Sequence, residues 1–331
     1  MNLSLVEKYR PKTLDEILGQ PEAITIIKNV LSRNESLHFL FSGPPGTGKT
    51  STAECIARYK FGDAWRNHYK EFNASNERGI DMVRNVLKRL AFIKGERIIF
   101  LDEADRLTEE AQDALRRPLE KTTGTMFIFS VNYEYKIIDA IKSRCVIVPF
   151  RRLPNEIVKK RLFEIMKAEN IKITYSSEEE KQLIKEGINY LIESANGDLR
   201  KAINTLEKLI NEKKQITVAN IVALQKPKLA LNAMLAAING NFEQARKLME
   251  DAYINNGYSY EEIIKELFEG ITEQNIKDRD LRIRLFIEIK ELEKACKLGT
   301  NPLYQLTGFL AKAYLFPHLP KKCPALSEER L

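Results

Sequence analysis

At 331 residues the chain exceeds one ordinary domain and points to roughly two or three. No run approaches the roughly 18 apolar residues of a membrane span, and the opening MNLSLVEKYR is not a signal-peptide pattern, so a soluble, intracellular protein with no membrane partner is expected. Four scattered cysteines without a C-x-x-C pair support neither a zinc site nor a disulfide framework, and a net charge of +7 permits nucleic-acid binding without requiring it.

The first twenty residues carry VEKYRPKTLDEILGQ, in which the Arg10-Pro11 step favours an extended strap, because a residue before proline avoids the α region. Helical spacing through Ile24, Ile27 and Leu31 predicts a helix over 21–31. The short apolar run His38 to Phe41 then leads into Gly43-Pro44-Pro45-Gly46-Thr47-Gly48-Lys49-Thr50, followed by Ser51 and a helix-like stretch to Tyr59. A G-x-x-x-x-G-K-[ST] run between a strand and a helix N-terminus is a phosphate-binding loop. Its glycines turn backbone amides inward, and the helix N-terminus adds partial positive charge at the same spot. Lys49 would reach the β- and γ-phosphates of ATP, and Thr50 would hold Mg²⁺.

Tyr69 to Asn73 reads as a second strand, and the polar Asn73 to Gly79 opens a helix from Ile80 to about Phe92. Met82, Val83, Val86, Leu87 and Leu90 give that helix a core face, while Arg84 and Lys88 lie one turn apart on the other, with Arg78 just before. The apolar strand Arg97 to Leu101 ends in Asp102-Glu103, the expected second half of an ATP site. Asp102 would accept the Mg²⁺ water shell, and Glu103 would orient or deprotonate the attacking water. Glu109 to Arg117 is helical up to Pro118, which should end or kink it. A fourth strand, Thr125 to Val131, finishes at Asn132, on the edge where open α/β sheets bind ligands. A short helix, Ile137 to Lys142, precedes Ser143-Arg144-Cys145 and a fifth strand, Val146 to Phe150. Strands alternating with helices in this way predict a doubly wound parallel sheet.

The texture changes at Arg151-Arg152-Leu153-Pro154, after which only helical periodicity is found. Asn155 is expected to cap one helix, and Ser177 with Glu180 to form the capping box of a second that runs to Ala195. Asn196-Gly197 stops that helix, and Asp198 caps a third through Ile210. Arg200 then falls in a first turn, where the helix dipole disfavours a cation, so an anion nearby is expected; Asp198 is one candidate. Residues from Val218 to Phe316 read as a further helical block, and Pro317 to Leu331 as a poorly ordered tail.

Seven motifs in order carry a family resemblance: VEKYRP (6–11), GPPGTGKT (43–50), NASNERGI (73–80), LDEAD (101–105), AQDALRR (111–117), SRC (143–145) and GDLRKAIN (197–204). Together they resemble the small subunits of replication factor C, the AAA+ clamp loader. The resemblance implies an α/β AAA+ domain with a five-stranded parallel sheet over 1–152, a helical lid over 153–222 and an all-α collar over 223–316, with the tail at 317–331. It implies an ATPase that uses ATP and Mg²⁺ to open a sliding clamp and load it onto primer-template DNA. The implied partners are a large subunit and other small subunits in a pentameric ring.

Position by position, Asn132 resembles sensor 1, Arg200 sensor 2, and Arg144 of SRC the arginine finger acting on ATP held by the neighbouring subunit. Val6, Tyr9, Arg10 and Pro11 resemble the strap beside the adenine. Arg78, Arg84, Lys88 and Lys136 fall where such subunits track the DNA phosphate backbone. The chain departs from the pattern at Asn76, Val131 and Pro118. Two other readings compete: another AAA+ DNA remodeller of branch-migration or origin-recognition type, or a ring member that binds ATP without hydrolysing it. The first would be expected to end in a winged-helix module, which the helical block after Val218 argues against; Glu103 and Arg144 argue against the second. Cytoplasm is the default expectation for localisation, with the nucleus open for a eukaryotic source.

Overall fold

The computed structural model describes residues 3–33, 37–74, 95–122, 124–171, 175–224, 228–272, 274–299 and 301–318. The chain forms two compact units, Met1–Gln225 and Lys226–Leu331. The first is built on β1 (His38–Ser42), β2 (Tyr69–Asn73), β3 (Arg97–Asp102), β4 (Thr125–Val131) and β5 (Cys145–Pro149), all parallel, in the order β2-β3-β4-β1-β5. The expected five-stranded parallel sheet is therefore present.

A parallel sheet must be covered on both faces, and alternate residues of the inner strands supply two separate cores. Phe39, Phe41, Ile98, Phe100 and Ile128 pack with the helices Pro21–Ser32 and Lys49–Phe61. Leu40, Ile99, Leu101, Phe127 and Phe129 face the opposite way, against Glu109–Ala114, Arg116–Lys121 and Asp139–Lys142. The register aligns Ser42 with Val131 and Asn73 with Asp102, so the phosphate loop, Asn132 and the acidic pair leave the sheet along one carboxyl edge.

Three local expectations are corrected. The helix from Glu109 breaks at Leu115 and resumes over Arg116–Lys121, with Pro118 inside the second piece. Proline lacks an N–H and its ring crowds the carbonyl four residues back, Ala114, so the ladder fails one turn before Pro118 and not after it. Asn155 is the first helical residue of Asn155–Ala168, not its cap; Pro154 stands at that position. Ser177 does accept the Glu180 N–H at 3.2 Å, but the Glu180 carboxylate takes the N–H of Ser176, so the capping box is only half made.

The helices Asn155–Ala168, Glu178–Ala195, Leu199–Asn211 and Val218–Leu224 share a core with Leu5 and Leu153, which anchors the N-terminal strap to them. The second unit holds Leu229–Ile238, Phe242–Glu250, Tyr260–Gly270, Arg279–Lys297 and Pro302–Leu315 around its own apolar core. Asp251–Asn255 forms a π-helical turn. No strand occurs in this unit among the described residues. No single helix among the described residues is long and apolar enough to cross a membrane.

His38 ties the start of β1 to β4 and to the helix Arg116–Lys121: its Nδ1 accepts from Phe127 N at 3.1 Å, which leaves Nε2 as the protonated nitrogen facing Leu119 O at 3.0 Å. Burial holds its pKa below the ordinary histidine value, with the bond to the Leu119 carbonyl opposing the shift. The unfolded chain takes up a second ring proton near pH 6.5 while the folded chain resists it. Stability is thus full above about pH 6.5 and declines as pH falls below it. Denaturant midpoints measured from pH 8 to pH 5 should show this decline, and His38→Phe should flatten it.

Candidate nucleotide site

The carboxyl edge of the sheet opens into a cleft lined by the phosphate loop, the strap, the acidic pair and the first turn of Leu199–Asn211. Gly43 and Gly46 have positive φ, and both meet other segments closely. A Cβ on Gly43 would lie 2.1 Å from Phe150 O, and one on Gly46 would lie 1.8 Å from Asp198 Oδ1. The Leu199 N–H donates to Gly46 O at 3.2 Å, so the helix Leu199–Asn211 begins directly on the loop.

Lys49 is 7% exposed, and its Nζ donates to Gly43 O at 2.5 Å, Pro44 O at 2.9 Å and Asn132 Oδ1 at 3.1 Å. Burial lowers its pKa to about 8; Asp102 and Asp105 oppose that shift, and Arg200 adds to it. Against the ordinary 10.5, keeping this ammonium charged at pH 7 costs on the order of 3 kcal/mol, an amount that phosphate oxygens can offset. Thr50 Oγ1 faces Asp102 Oδ2 at 3.5 Å, the hydroxyl and carboxylate expected to act together. Pro45, Thr47, Gly48 and Ser51 complete the loop's side of the cleft.

Glu103 has φ 52°, the left-handed region, and its carboxylate pairs with Arg106 at 2.9 Å. Asn132 lines the cleft beside it, and its own N–H donates to the buried Asp105 at 3.4 Å. Asp105 is the second acid of the cluster that offsets Lys49, a role that sequence spacing did not single out.

Val6, Tyr9, Arg10 and Pro11 of the strap form the opposite wall. Arg10 Nη1 donates to Glu54 Oε1 at 2.6 Å on the phosphate-loop helix, and Tyr9 Oη donates to Glu169 at 2.6 Å on the lid. Arg161, which sequence reading passed over, donates to Tyr9 O at 2.8 Å and lines the same wall. Ile17, Leu18, Leu153, Leu199 and Ile203 give this end an apolar lining able to take a flat heterocycle. No local pattern marks those five, because the chain assembles them from three separate stretches.

Arg200 lines the cleft and forms no ion pair with Asp198; the Asp198 carboxylate instead caps its helix by accepting from Lys201 N at 2.9 Å. Arg144 is not among the cleft residues. Its Nε donates to Glu120 Oε1 at 3.1 Å and its Nη1 to Ala140 O at 2.6 Å. Lys136 is exposed, with its ammonium 5.0 Å from the Tyr133 ring centroid. Arg78, Arg84 and Lys88 lie outside the described residues, as does Asn76.

Residues 39–152 match the model of the ATPase family associated with various cellular activities, and residues 227–312 match that of the replication factor C C-terminal domain. The chain is 43% identical over 315 residues to the replication factor C small subunit of Archaeoglobus fulgidus, covering 92% of this chain and 95% of that one. It is 39% identical to the protein of that name from Thermoplasma acidophilum and 40% identical to the one from Haloarcula marismortui, again over 92% of its length and 95% and 93% of theirs. Among solved structures it is similar to the Thermotoga maritima RuvB Holliday junction branch migration motor, at a TM-score of 0.53 and 17% identity over 94% of this chain and 91% of that one. A likeness at that identity speaks for the fold alone.

With the Lys49 pKa held at about 8, nucleoside triphosphate affinity should fall as pH rises from about 7.5 to 9. Titrating a fluorescent ATP analogue across that range checks it; an affinity independent of pH would mean that the ammonium is not the phosphate ligand. Gly46→Ala should weaken the same binding, because its Cβ collides with the Asp198 carboxylate.

Proposed function

The chain belongs to the replication factor C small-subunit family, and on that premise we propose that it is an ATPase of a clamp loader, opening a sliding clamp and placing it on primer-template DNA. The observation that carries this reading over a branch-migration motor is the C-terminal unit: residues 227–312 match the replication factor C C-terminal domain, and the regular elements among the described residues there are all helices. An origin-recognition remodeller is disfavoured on the same ground.

In this reading ATP lies along the cleft with its base between the strap and the aliphatic end, and its phosphates in the loop. Lys49 exchanges its bonds to Gly43 O and Pro44 O for β- and γ-phosphate oxygens. Thr50 and Asp102 are the residues that would hold Mg²⁺, which supplies charge neutralisation on the phosphates when bound. Their hard oxygens suit that ion, and the rest of its shell would come from water and phosphate. Glu103 accepts the proton of the attacking water once it leaves Arg106, and Asn132 orients that water or the γ-phosphate. Arg200 brings its cation to the phosphates from the lid.

Arg144 lies outside its own cleft and is proposed to act on ATP of the neighbouring subunit, exchanging Glu120 for phosphate oxygens. The ring then needs partner chains: a large subunit and further small subunits, five in all as in the family pattern. Arg78, Arg84, Lys88 and Lys136 are proposed to follow the DNA backbone, contacts that position a duplex and read no sequence. Residues 1–152, 153–222 and 223–316 would serve as nucleotide-binding, lid and collar segments, in a cytoplasmic protein.

Steady-state ATP hydrolysis by the assembled loader, with and without clamp and primed DNA, tests this. Turnover should rise when both are present. Glu103→Gln should lower it by about 10²-fold or more while ATP still binds, the usual weight of a general base. Arg144→Ala should cost about 10³-fold at the adjoining site and leave ATP binding in its own cleft intact. Turnover indifferent to clamp and DNA would overturn the clamp-loading assignment, and full activity of Glu103→Gln would overturn its role as base.

A further inference from the structure

Gln20 stands at the N-cap of Pro21–Ser32, yet its side chain does not cap that helix. It is 4% exposed, and its whole carboxamide is engaged elsewhere. Oε1 accepts from Arg151 N at 3.1 Å, while Nε2 donates to Arg151 O at 2.7 Å and to Thr47 O at 3.3 Å. The two bonds to Arg151 imitate the pairing of one strand residue with another. The third crosses to the phosphate loop. Only a carboxamide offers one acceptor and two donors on one planar group; glutamate lacks the donors, and asparagine is one methylene shorter.

The two ends of this bridge lie on the phosphate loop and on the short segment that joins the sheet to the helices after it. A trans peptide is planar, so turning Thr47 O toward Gln20 turns the Gly48 N–H the opposite way, and both residues line the cleft. At the other end, the Phe150 N–H is fixed to Ser42 O at 2.7 Å and the Leu153 N–H to Gly197 O at 3.2 Å. Arg151 and Arg152 are the two residues between these anchors, one on the sheet and one on the helical lid, and both side chains are exposed. The Arg151 backbone is held on both its N–H and its carbonyl by Gln20.

We propose that Gln20 is a positioning residue that couples the phosphate loop to the hinge between the sheet and the lid. The inference rests on the reading of the cleft as an ATP site. When phosphates reorient the Thr47–Gly48 peptide, the carboxamide holding it shifts with it, and Arg151 receives the change through one side chain. A residue that merely anchored its own helix would leave the hinge indifferent to nucleotide.

The Arg151-Arg152 pair is itself a tryptic site, which gives a direct readout on the full-length chain. Trypsin cleavage there is followed with and without ATP and Mg²⁺, alongside affinity for a fluorescent ATP analogue and melting temperature. In the unmodified chain ATP should slow cleavage several-fold. In Gln20→Glu and Gln20→Ala, cleavage should be faster without nucleotide and nearly insensitive to ATP, with affinity lowered about tenfold, the cost of one hydrogen bond to a site amide. Gln20→Glu preserves size should the alanine variant not fold. Glu22→Gln, which removes only the exposed Arg151–Glu22 pair at 3.2 Å, should keep the full response to ATP. The proposal is overturned if folded Gln20 variants retain ATP-dependent protection, or if the unmodified chain binds ATP with no change in cleavage. Absence of ATP binding by the unmodified chain would instead sink the nucleotide reading and this inference with it.

Discussion

The phosphate loop is gripped from its outer side by chain that comes a hundred residues later, and most of the first unit depends on that grip. Phe150 O closes on Gly43, and the Asp198 carboxylate closes on Gly46, at separations that leave no room for a side chain. The glycines therefore serve two surfaces at once: an inner one for phosphate and an outer one for the end of β5 and the start of the lid helix. Because β1 lies between β4 and β5, the loop leaves the sheet beside both of them, where the strand order changes direction. The helix Leu199–Asn211 is thereby set against the outer side of the same backbone whose inner side is proposed to bind nucleotide.

Charge follows from this geometry. Closing the loop buries Lys49, and Asp102 and Asp105 oppose the loss of charge that burial favours. Asp102 ends β3 and Asp105 follows in the turn after it, so both carboxylates stand at the mouth of a strand whose inner residues are buried. The strap repeats the pattern: Arg10 is shared between Glu54 and Glu7, which fastens that wall of the cleft to the phosphate-loop helix. Such mutual dependence explains why the acidic and basic residues of the cleft cannot be weighed one at a time.

Much of this was legible because it is local. Strands such as Thr125–Val131 announce themselves by unbroken apolar runs, and the loop, Asp102-Glu103 and Asn132 follow those runs at once. What escaped has its partner far away along the chain. Gln20 finds its partner only at Arg151 and Arg161 only at the Tyr9 carbonyl, 131 and 152 residues away along the chain. The break at Leu115 was misplaced because proline acts on the carbonyl one turn before it, a displacement that inspection of Pro118 alone does not suggest. Asp198 caps its helix as its place before the run indicates, and the ion pair with Arg200 that its spacing also offers is not made, since the cap lies within reach of its own backbone.

The left-handed backbone of Glu103 carries one more implication. A non-glycine residue in that region stores about 1 kcal/mol or more, and here the strain falls on the residue proposed as the base. Selection for thermal hardiness alone would favour glycine or asparagine at 103, relaxing the turn and erasing the carboxylate in one step. Library screens that rank variants by melting temperature would thus enrich inactive chains at this position, and any stabilised version of the protein has to draw its gains from elsewhere in the fold.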